Sequence, residues 1–400
     1  MKNLMYIACL LLIFFSCSKD EEENQEENTI AERTVIVYMA AENNLSSYAN
    51  SDISEMLKVS GSLPQNVNLV AFVDLLGSNP YVVSIKNGVK TVDENFHCQE
   101  DFYSCDPEKM KETLEWIINR YPANSYGLVL WGHASGWLVE NDTIANYLNK
   151  PQRAYGVDTG NDINNGMGTK WINIPSLANV LENLPVHFRF IFADCCNFQC
   201  IEVAYELRHV ADYIIASPAE TPIIGAPYDI ITPYFYKDDA SLYKGIVDGC
   251  NAQVVNYEDR VPMSVIKTDE LESFAAASKD VMRRLTEAEA LNTVGIIYYR
   301  GNSSVKVLID MNDIIRRHIG DDEAYLSWKE SFDKAVPYKA LSKKWLTEGF
   351  VKFDFSVTDE RFGGVGVFVP QTIYDQKGYN YNKKIRQLQW YYATGLGGEN

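Results

Sequence analysis

Positive charge is scarce in this chain. Its 400 residues carry 36 Lys and Arg against 54 Asp and Glu, a formal net charge of -18. Phosphate backbones are gripped by basic surfaces, so a nucleic-acid partner is excluded. An acidic surface favours solubility and suits the approach of cationic substrates to a cleft. The nucleotide-binding patterns G-x-x-x-x-G-K-[ST] and G-x-G-x-x-G are missing, as is the zinc-binding H-E-x-x-H. Gly132-His133-Ala134-Ser135-Gly136 sets its serine one position late for a G-x-S-x-G nucleophile elbow. Only five histidines occur, and neither an internal repeat nor a second apolar span follows the amino terminus.

What is present is ordinary globular composition, 46% hydrophobic and 22% charged, enough for one large α/β domain with additions or for two domains. Lys2 precedes an apolar run over residues 5–15, which has signal-peptide length and is too short to span a bilayer. It ends at Phe15-Ser16-Cys17, which resembles a lipobox, and nothing like an A-x-A cleavage site lies nearby. Residues 1–16 are therefore expected to be a lipoprotein signal peptide, with Cys17 diacylated as the first mature residue. Residues 17–32, opening Ser18-Lys19-Asp20-Glu21-Glu22-Glu23, cannot bury apolar area and read as an acidic flexible tether. The same run resembles an acidic export tag, and both readings stay open. The lipobox implies a protein of the bacterial cell envelope, anchored to the outer membrane by lipid, and the export-tag reading alone would place it at the surface.

Cys9 leaves with the signal and Cys17 carries lipid, so six of the eight cysteines belong to the body. Export permits disulfides, and Cys98 and Cys105 flank a short polar loop that a local bridge would close. His97 beside Cys98 supplies too few ligands for zinc.

Residues 34–40, 67–73, 126–131, 188–193 and 213–217 are apolar, β-rich runs that read as buried strands. Helical spacing falls between them at 52–59, 107–120, 175–184 and 199–210. Apolar strands alternating with helices predict an α/β fold, a mostly parallel sheet covered by helices on both faces. Residues 138–172 are polar and rich in Asn and Gly, and read as a long exposed excursion. Beyond residue 260 the rhythm loosens into a helix over 269–287 and runs suited to antiparallel pairing, notably 353–357 and 365–369.

Two segments sit where such a sheet places its site, at the carboxyl ends of parallel strands. One is Trp131-Gly132-His133-Ala134-Ser135-Gly136-Trp137, the other Asp194-Cys195-Cys196. A thiolate at Cys196 is a nucleophile, and His133 titrates near neutral pH and can pass a proton to a leaving group. The helix expected behind Cys196 would favour the thiolate, and the N–H groups of Ala134 and Cys196 are natural donors to an oxyanion. Each residue also has a structural reading, a buried small hydrophobe for the cysteine and a satisfied core group for the histidine. His97, His187, His209 and His318 lack comparable settings.

These segments resemble the clostripain family of cysteine peptidases, which carries W-x-H-G-x-G-W around its histidine and D-A-C-L-M-x-x-x-E-x-A-Y-E around its cysteine. Here Ala134 departs from the first pattern. In the second, counting back from Glu202-Val203-Ala204-Tyr205-Glu206 selects Cys196, with Cys195 at the family's alanine and Asn197-Phe198 at its Leu-Met. Residues 34–44 resemble the family's opening V-x-x-Y-M-x-x-D-N-N-L with Glu42 for aspartate, and Gly363 to Pro370 and Trp390-Tyr391 resemble its closing elements. The resemblance implies a caspase-like catalytic domain over 33–260 with an α+β region over 261–400 packed on it. It implies hydrolysis of protein or peptide substrates after Arg or Lys by Cys196 and His133, without a redox or organic cofactor. Calcium dependence occurs in the family, but no run resembles an EF-hand loop. Asp194 matches a family aspartate near the site, where it would pair with a cationic side chain, or it caps the following helix. Some members cut themselves between histidine and cysteine, and Arg153-Ala154 is the candidate here. The departures keep a second class in view, a surface binding lipoprotein with the same fold and no catalysis.

Overall fold

The computed structural model describes residues 30–139, 154–164, 168–253, 260–288, 291–302, 305–320, 323–347, 351–354 and 357–397. Its strands begin β1 (Arg33–Ala41), β2 (Val67–Leu75), β3 (Tyr81–Lys86), β4 (Val89–Val92), β5 (Tyr126–Trp131), β6 (Tyr155–Asp158), β7 (Lys170–Ile172), β8 (Phe188–Asp194), β9 (Tyr213–Ala216) and β10 (Met263–Lys267). A nine-stranded sheet runs in the order Tyr338–Ala340, β10, β9, β8, β5, β1, β2, β3, β4. Its five central strands are parallel, and the two at each edge are antiparallel. Every residue of β1 and β5 is buried, as expected of strands covered on both faces.

Helix α1 (Ser46–Ser60) and the helix Ser241–Ala252 cover one face, packing Ile53, Met56 and Ile246 on Val35, Val37 and Val129. The other face carries α2 (Pro107–Arg120), α3 (Ile174–Glu182), α4 (Ile201–Glu206) and the helix Leu271–Glu287. Helix α2 starts where the sequence says it should. Pro107 sits in its first turn, and the Asp106 carboxylate accepts from the N–H groups of Glu108 and Lys109 at 3.0 and 3.2 Å. No described helix is long and apolar enough to cross a membrane.

Several expectations change. The sheet runs past residue 260, because β10 and Tyr338–Ala340 complete its edge. The runs at 353–357 and 365–369 do not pair with each other. Val351–Asp354 pairs with Lys344–Thr347, and Gly366–Val367 pairs with Lys306–Asp310. Within the expected exposed excursion, Leu138, Val139 and residues 154–158 are buried, and β6 pairs antiparallel with β7. Its apolar residues, Tyr155, Val157 and Trp171, are interspersed among polar ones and so escape a reading by average polarity. Cys98 and Cys105 are separate thiols, Cys105 buried under α2 and Cys98 half-buried in the preceding loop. The helix expected over 199–210 is confined to α4.

Helix α4 owes its motif to packing. Glu202, fully buried, accepts from the Phe368 N–H at 2.7 Å, and Glu206 accepts from the backbone and side chain of Gln389. Tyr205 meets Trp390 edge-on with ring centroids 5.6 Å apart. The E-x-A-Y-E residues thus clamp the carboxyl-terminal segments onto the sheet. Burial pushes the Glu202 carboxyl up to about 8, so it is neutral at pH 7 and an amide can replace it. E202Q is expected to unfold within about 1 kcal/mol of wild type at pH 7, whereas E202A should cost about 1–3 kcal/mol by stranding the Phe368 N–H. The raised carboxyl contributes fully below its unfolded value and loses its contribution as pH rises through 8, so wild type should fall behind E202Q there. Parallel denaturation profiles from pH 6 to 9 would show that the carboxyl is not held neutral.

Candidate active site

Register sets the site. β5 and β8 pair in parallel with Trp131 opposite Asp194, and the Gly132 N–H donates to the Asp194 carbonyl at 3.3 Å. His133 and Cys196 each follow that pair by two residues, at the carboxyl ends of strands about 4.8 Å apart. The parallel strands run β2-β1-β5-β8-β9, so the chain reverses direction across the sheet between β1 and β5. Open α/β sheets bind ligands at that switch point.

Two glycines let the segments close. Gly136 has φ +72°, and a Cβ there would lie 2.9 Å from the Asn197 carbonyl oxygen and 3.5 Å from Cys200 Sγ. Gly132 has φ +142°, and a Cβ there would lie 3.0 Å from the Ala40 carbonyl oxygen. Gly136 therefore lets the His133 segment approach the backbone of the Cys196 segment, and Gly132 lets it approach the end of β1.

His133 is half-buried, and its Nε2 lies 2.8 Å from Asn44 Oδ1. With the amide oxygen as acceptor, Nε2 carries the proton and Nδ1 the lone pair. Asn44, just past β1, is a site residue that strand-breaking composition does not reveal. Its signal lay in the opening motif. Asn43 fixes the same turn, donating to the carbonyls of Ala40 and Val157 at 3.0 and 2.7 Å and accepting from the Leu45 N–H at 2.8 Å.

Of the vicinal cysteines, Cys195 is 1% exposed in the core and Cys196 is half-buried at the site. The Thr221 N–H donates to Cys196 Sγ at 3.3 Å, and Thr221 Oγ1 lies 3.6 Å away. Burial pushes the Cys196 thiol up to about 11, and the Glu220 charge adds to the push. Thr221 donation and the Arg300 charge oppose it. The helix expected behind Cys196 does not act on it. Asn197 turns the chain through φ +56°, and α4 begins only at Ile201. Asn197 anchors this turn, its N–H donating to the Ala219 carbonyl at 2.8 Å and its amide to the Pro218 carbonyl at 2.9 Å. Phe198 fills the core. These two departures from the family pattern are structural.

Ser135 N–H donates to the Ala154 carbonyl and Gly156 N–H to the His133 carbonyl, so the intervening Ala134 N–H points away from β6. Neither it nor the Cys196 N–H has an acceptor among the described residues. Ala134 keeps a negative φ, since the only described non-glycine residues with positive φ are Asn87 and Asn197. Arg300, from the strand Tyr298–Gly301, donates to the Ser135 carbonyl at 3.3 Å and braces the histidine loop.

Asp194 caps no helix. Its Oδ2 accepts from the Ala226 N–H at 2.9 Å and the Tyr228 hydroxyl at 3.1 Å. Burial pushes its carboxyl up to about 6. Asp52, which accepts from Trp131 Nε1 at 2.7 Å, is pushed up to about 8 by burial and then by Asp194, and its Oδ1 has no partner. Gly225 covers both acids, a Cβ there falling 2.7 and 3.2 Å from Asp52 Oδ2 and Asp194 Oδ2. Arg153 and Cys17 lie outside the described residues. Ala154 is fully buried beside the histidine loop. Among the described residues one group of acids, Glu42, Asp74 and Asp101, is close enough to share a metal ion.

The sequence profile of the clostripain family matches residues 37–389. Among solved structures, a secreted C11 cysteine protease from Bacteroides thetaiotaomicron in complex with an irreversible peptide inhibitor is 29% identical. Its match has a TM-score of 0.75 and covers 92% of this chain and 100% of that one. An inactive zymogen C11 protease from Parabacteroides distasonis is 26% identical, with a TM-score of 0.74 and coverage of 92% and 99%. A further secreted C11 cysteine protease from Bacteroides thetaiotaomicron, at 22% identity, shares the fold with a TM-score of 0.77 over 91% and 99% of the two chains. No curated protein matches. With the family profile spanning most of its length and its sheet matching those of C11 proteases, the chain belongs to the clostripain family of cysteine peptidases.

Proposed function

We propose that this peptidase is a lipid-anchored endopeptidase that cuts after Arg or Lys, with Cys196 as nucleophile and His133 as general acid and base. The observation that carries the reading is the placement of both residues two positions past the Trp131–Asp194 pair. Cys196 Sγ attacks the scissile carbonyl carbon as His133 Nδ1 takes the thiol proton. The oxyanion accepts from the Ala134 and Cys196 N–H groups. His133 then returns the proton to the leaving amine, a thioester forms, and a water deprotonated by His133 releases the acid and restores the thiol. Asn44 acts as a positioning residue, fixing the tautomer that leaves Nδ1 basic. C196A is expected to abolish amidase activity, and C195A, which trims a core side chain, to keep most of it. The reverse result would put the nucleophile one residue earlier.

The raised thiol describes a resting enzyme whose thiolate is scarce at neutral pH. Alkylation of Cys196 by iodoacetamide should keep accelerating beyond the ordinary thiol range near pH 8.5. A plateau near pH 6–7 would mean a preformed thiolate–imidazolium pair instead. The departure at Ala134 and the neutral thiol favour one second reading, a silent binding lipoprotein of the same fold.

Asp194 and Asp52 support basic selectivity, being two buried acids at the site with no cationic partner among the described residues. An Arg or Lys side chain reaching them would restore their charged forms. D194N should lower kcat/KM for Arg and Lys substrates roughly 10–100-fold and change neutral substrates little, the range expected for a charged hydrogen bond. Equal losses for both classes would assign Asp194 to the fold alone.

Self-cleavage between Arg153 and Ala154 is supported by the position of Ala154 beside the histidine loop. Wild type should yield a chain starting at Ala154 while C196A stays intact; an active wild type that remains a single chain contradicts it. Diacylation of Cys17 and an envelope location rest on the lipobox-like Phe15-Ser16-Cys17, and mass spectrometry of the mature amino terminus checks them.

A further inference from the structure

Arg300 is a half-buried cation without an anion. Its Nη1 donates to the Ser135 carbonyl at 3.3 Å, its Nε is buried without a partner, and among the described residues no carboxylate stands within ion-pair distance of it. Other arginines drawn back from water, Arg33, Arg189, Arg208 and Arg361, each hold a carboxylate at 2.6–2.8 Å. A guanidinium with a neutral acceptor on one N–H and none on another is costly to keep from water unless an anion forms beside it.

The fold fixes Arg300 from two sides. The strand Tyr298–Gly301 pairs antiparallel with Lys306–Asp310, which sets Leu308 opposite Arg300. Leu308 Cδ1 would lie 3.3 Å from a Cβ on Gly136, so this pair stands directly against the histidine loop. On the other side Asn197 Nδ2 donates to the Tyr299 carbonyl at 3.4 Å. Arg300 therefore follows a residue held by the neighbour of Cys196, and itself holds a residue two places past His133. Every element around the sulfur brings a polar or titratable group. The end of β8 brings Asp194 and Cys195, the loop after β5 brings His133, the segment after β9 brings Glu220 and Thr221, and the strand Tyr298–Gly301 brings Arg300. Asp194 is already satisfied by Ala226 and Tyr228, and burial keeps Cys195 neutral. Burial and then the Glu220 carboxylate hold the proton on Cys196, Thr221 donation opposes them, and Arg300 supplies the opposing positive charge.

We propose that Arg300 is the electrostatic partner of the Cys196 thiolate, a positioning residue that favours the anionic nucleophile from between the two catalytic segments. The anion that Arg300 lacks at rest forms when the thiol proton passes from Sγ to His133 Nδ1 and the electron pair stays on sulfur. That negative charge moves to the carbonyl oxygen as the S–C bond forms, and in both places it lies in the field of a guanidinium that never loses its proton. A cation left unpaired in the resting enzyme and paired in the reactive one stabilises the second state more than the first, which is the condition for a gain in rate. The proposal rests on the reading of Cys196 as nucleophile, whereas the influence of Arg300 on the sulfur needs no turnover to be seen.

Alkylation of Cys196 by iodoacetamide in the full mature chain, followed by mass spectrometry from pH 6 to 10, tests it directly. The charge-free variants R300Q and R300M are expected to react about 3–10-fold more slowly at pH 7, with the whole profile displaced to higher pH, as removal of a partly screened nearby charge predicts. R300K keeps the charge and should stay within about twofold of wild type. In peptidase assays the charge-free variants should lose kcat by a similar factor with KM little changed. Profiles of folded R300Q or R300M that coincide with wild type overturn the proposal, and so does R300K that reacts like R300Q. Failure of both charge-free variants to fold would assign Arg300 to the fold alone and overturn it as well. An error in the nucleophile shows differently, as a C196A variant that keeps its amidase activity while the loss of Arg300 still displaces the alkylation profile.

Discussion

The parallel register of β1, β5 and β8 is the constraint on which the rest depends. It sets the ends of three strands side by side, so that Asn44 reaches His133 and the His133 and Cys196 segments leave neighbouring strands although they are far apart in sequence. A one-residue slip in a parallel ladder turns every side chain to the other face, so the buried apolar strands that fix register also fix the chemistry. Gly136 and Gly132 then let the loops beyond the strands approach backbone to backbone. The carboxyl-terminal third is a brace for this arrangement. It holds α4 through Glu202 and Glu206, pairs β9 through β10, and reaches the histidine loop with Arg300.

Much of this was legible in the residues. The runs that became β1, β2, β5, β8 and β9 are continuous stretches of apolar, largely β-branched or aromatic residues, and their burial on both faces follows from that pattern. Helix α2 was marked at its start by Asp106 and Pro107. The choice of Cys196 over Cys195 came from motif spacing; Cys195 is buried and Cys196 half-buried. What escaped was whatever depends on tertiary context. Asn197 takes a left-handed turn that shortens the following helix, and no local pattern announces it. β6 and β7 are short strands in a polar stretch, stabilised by pairing with each other and with the histidine loop. Glu42, Asp74 and Asp101 converge only after β1 and β2 are paired, so no contiguous pattern marks their cluster.

The interior of this chain is notably acidic, which gives its net charge of -18 a meaning beyond solubility. Glu202 is stabilised by backbone donation and neutrality, a purely structural solution. Asp194 and Asp52 are raised by burial beside the carboxyl ends of β5 and β8, and Glu42, Asp74 and Asp101 gather past the ends of β1 and β2. The same physical cost, carboxylates removed from water, is offset by backbone donation at Glu202 and raises the carboxyls of the other two groups. Cys196 shows the converse, a thiol kept neutral by burial, while His133 Nε2 lies 2.8 Å from Asn44 Oδ1.

The most direct test of the account treats the wild-type mature protein with a thiol-reactive peptidyl-arginine probe and locates the adduct by mass spectrometry. The account predicts a single label on Cys196, lost when His133 is replaced by alanine. A protein that stays unlabelled, or that carries the label on Cys195 or another thiol, would contradict it.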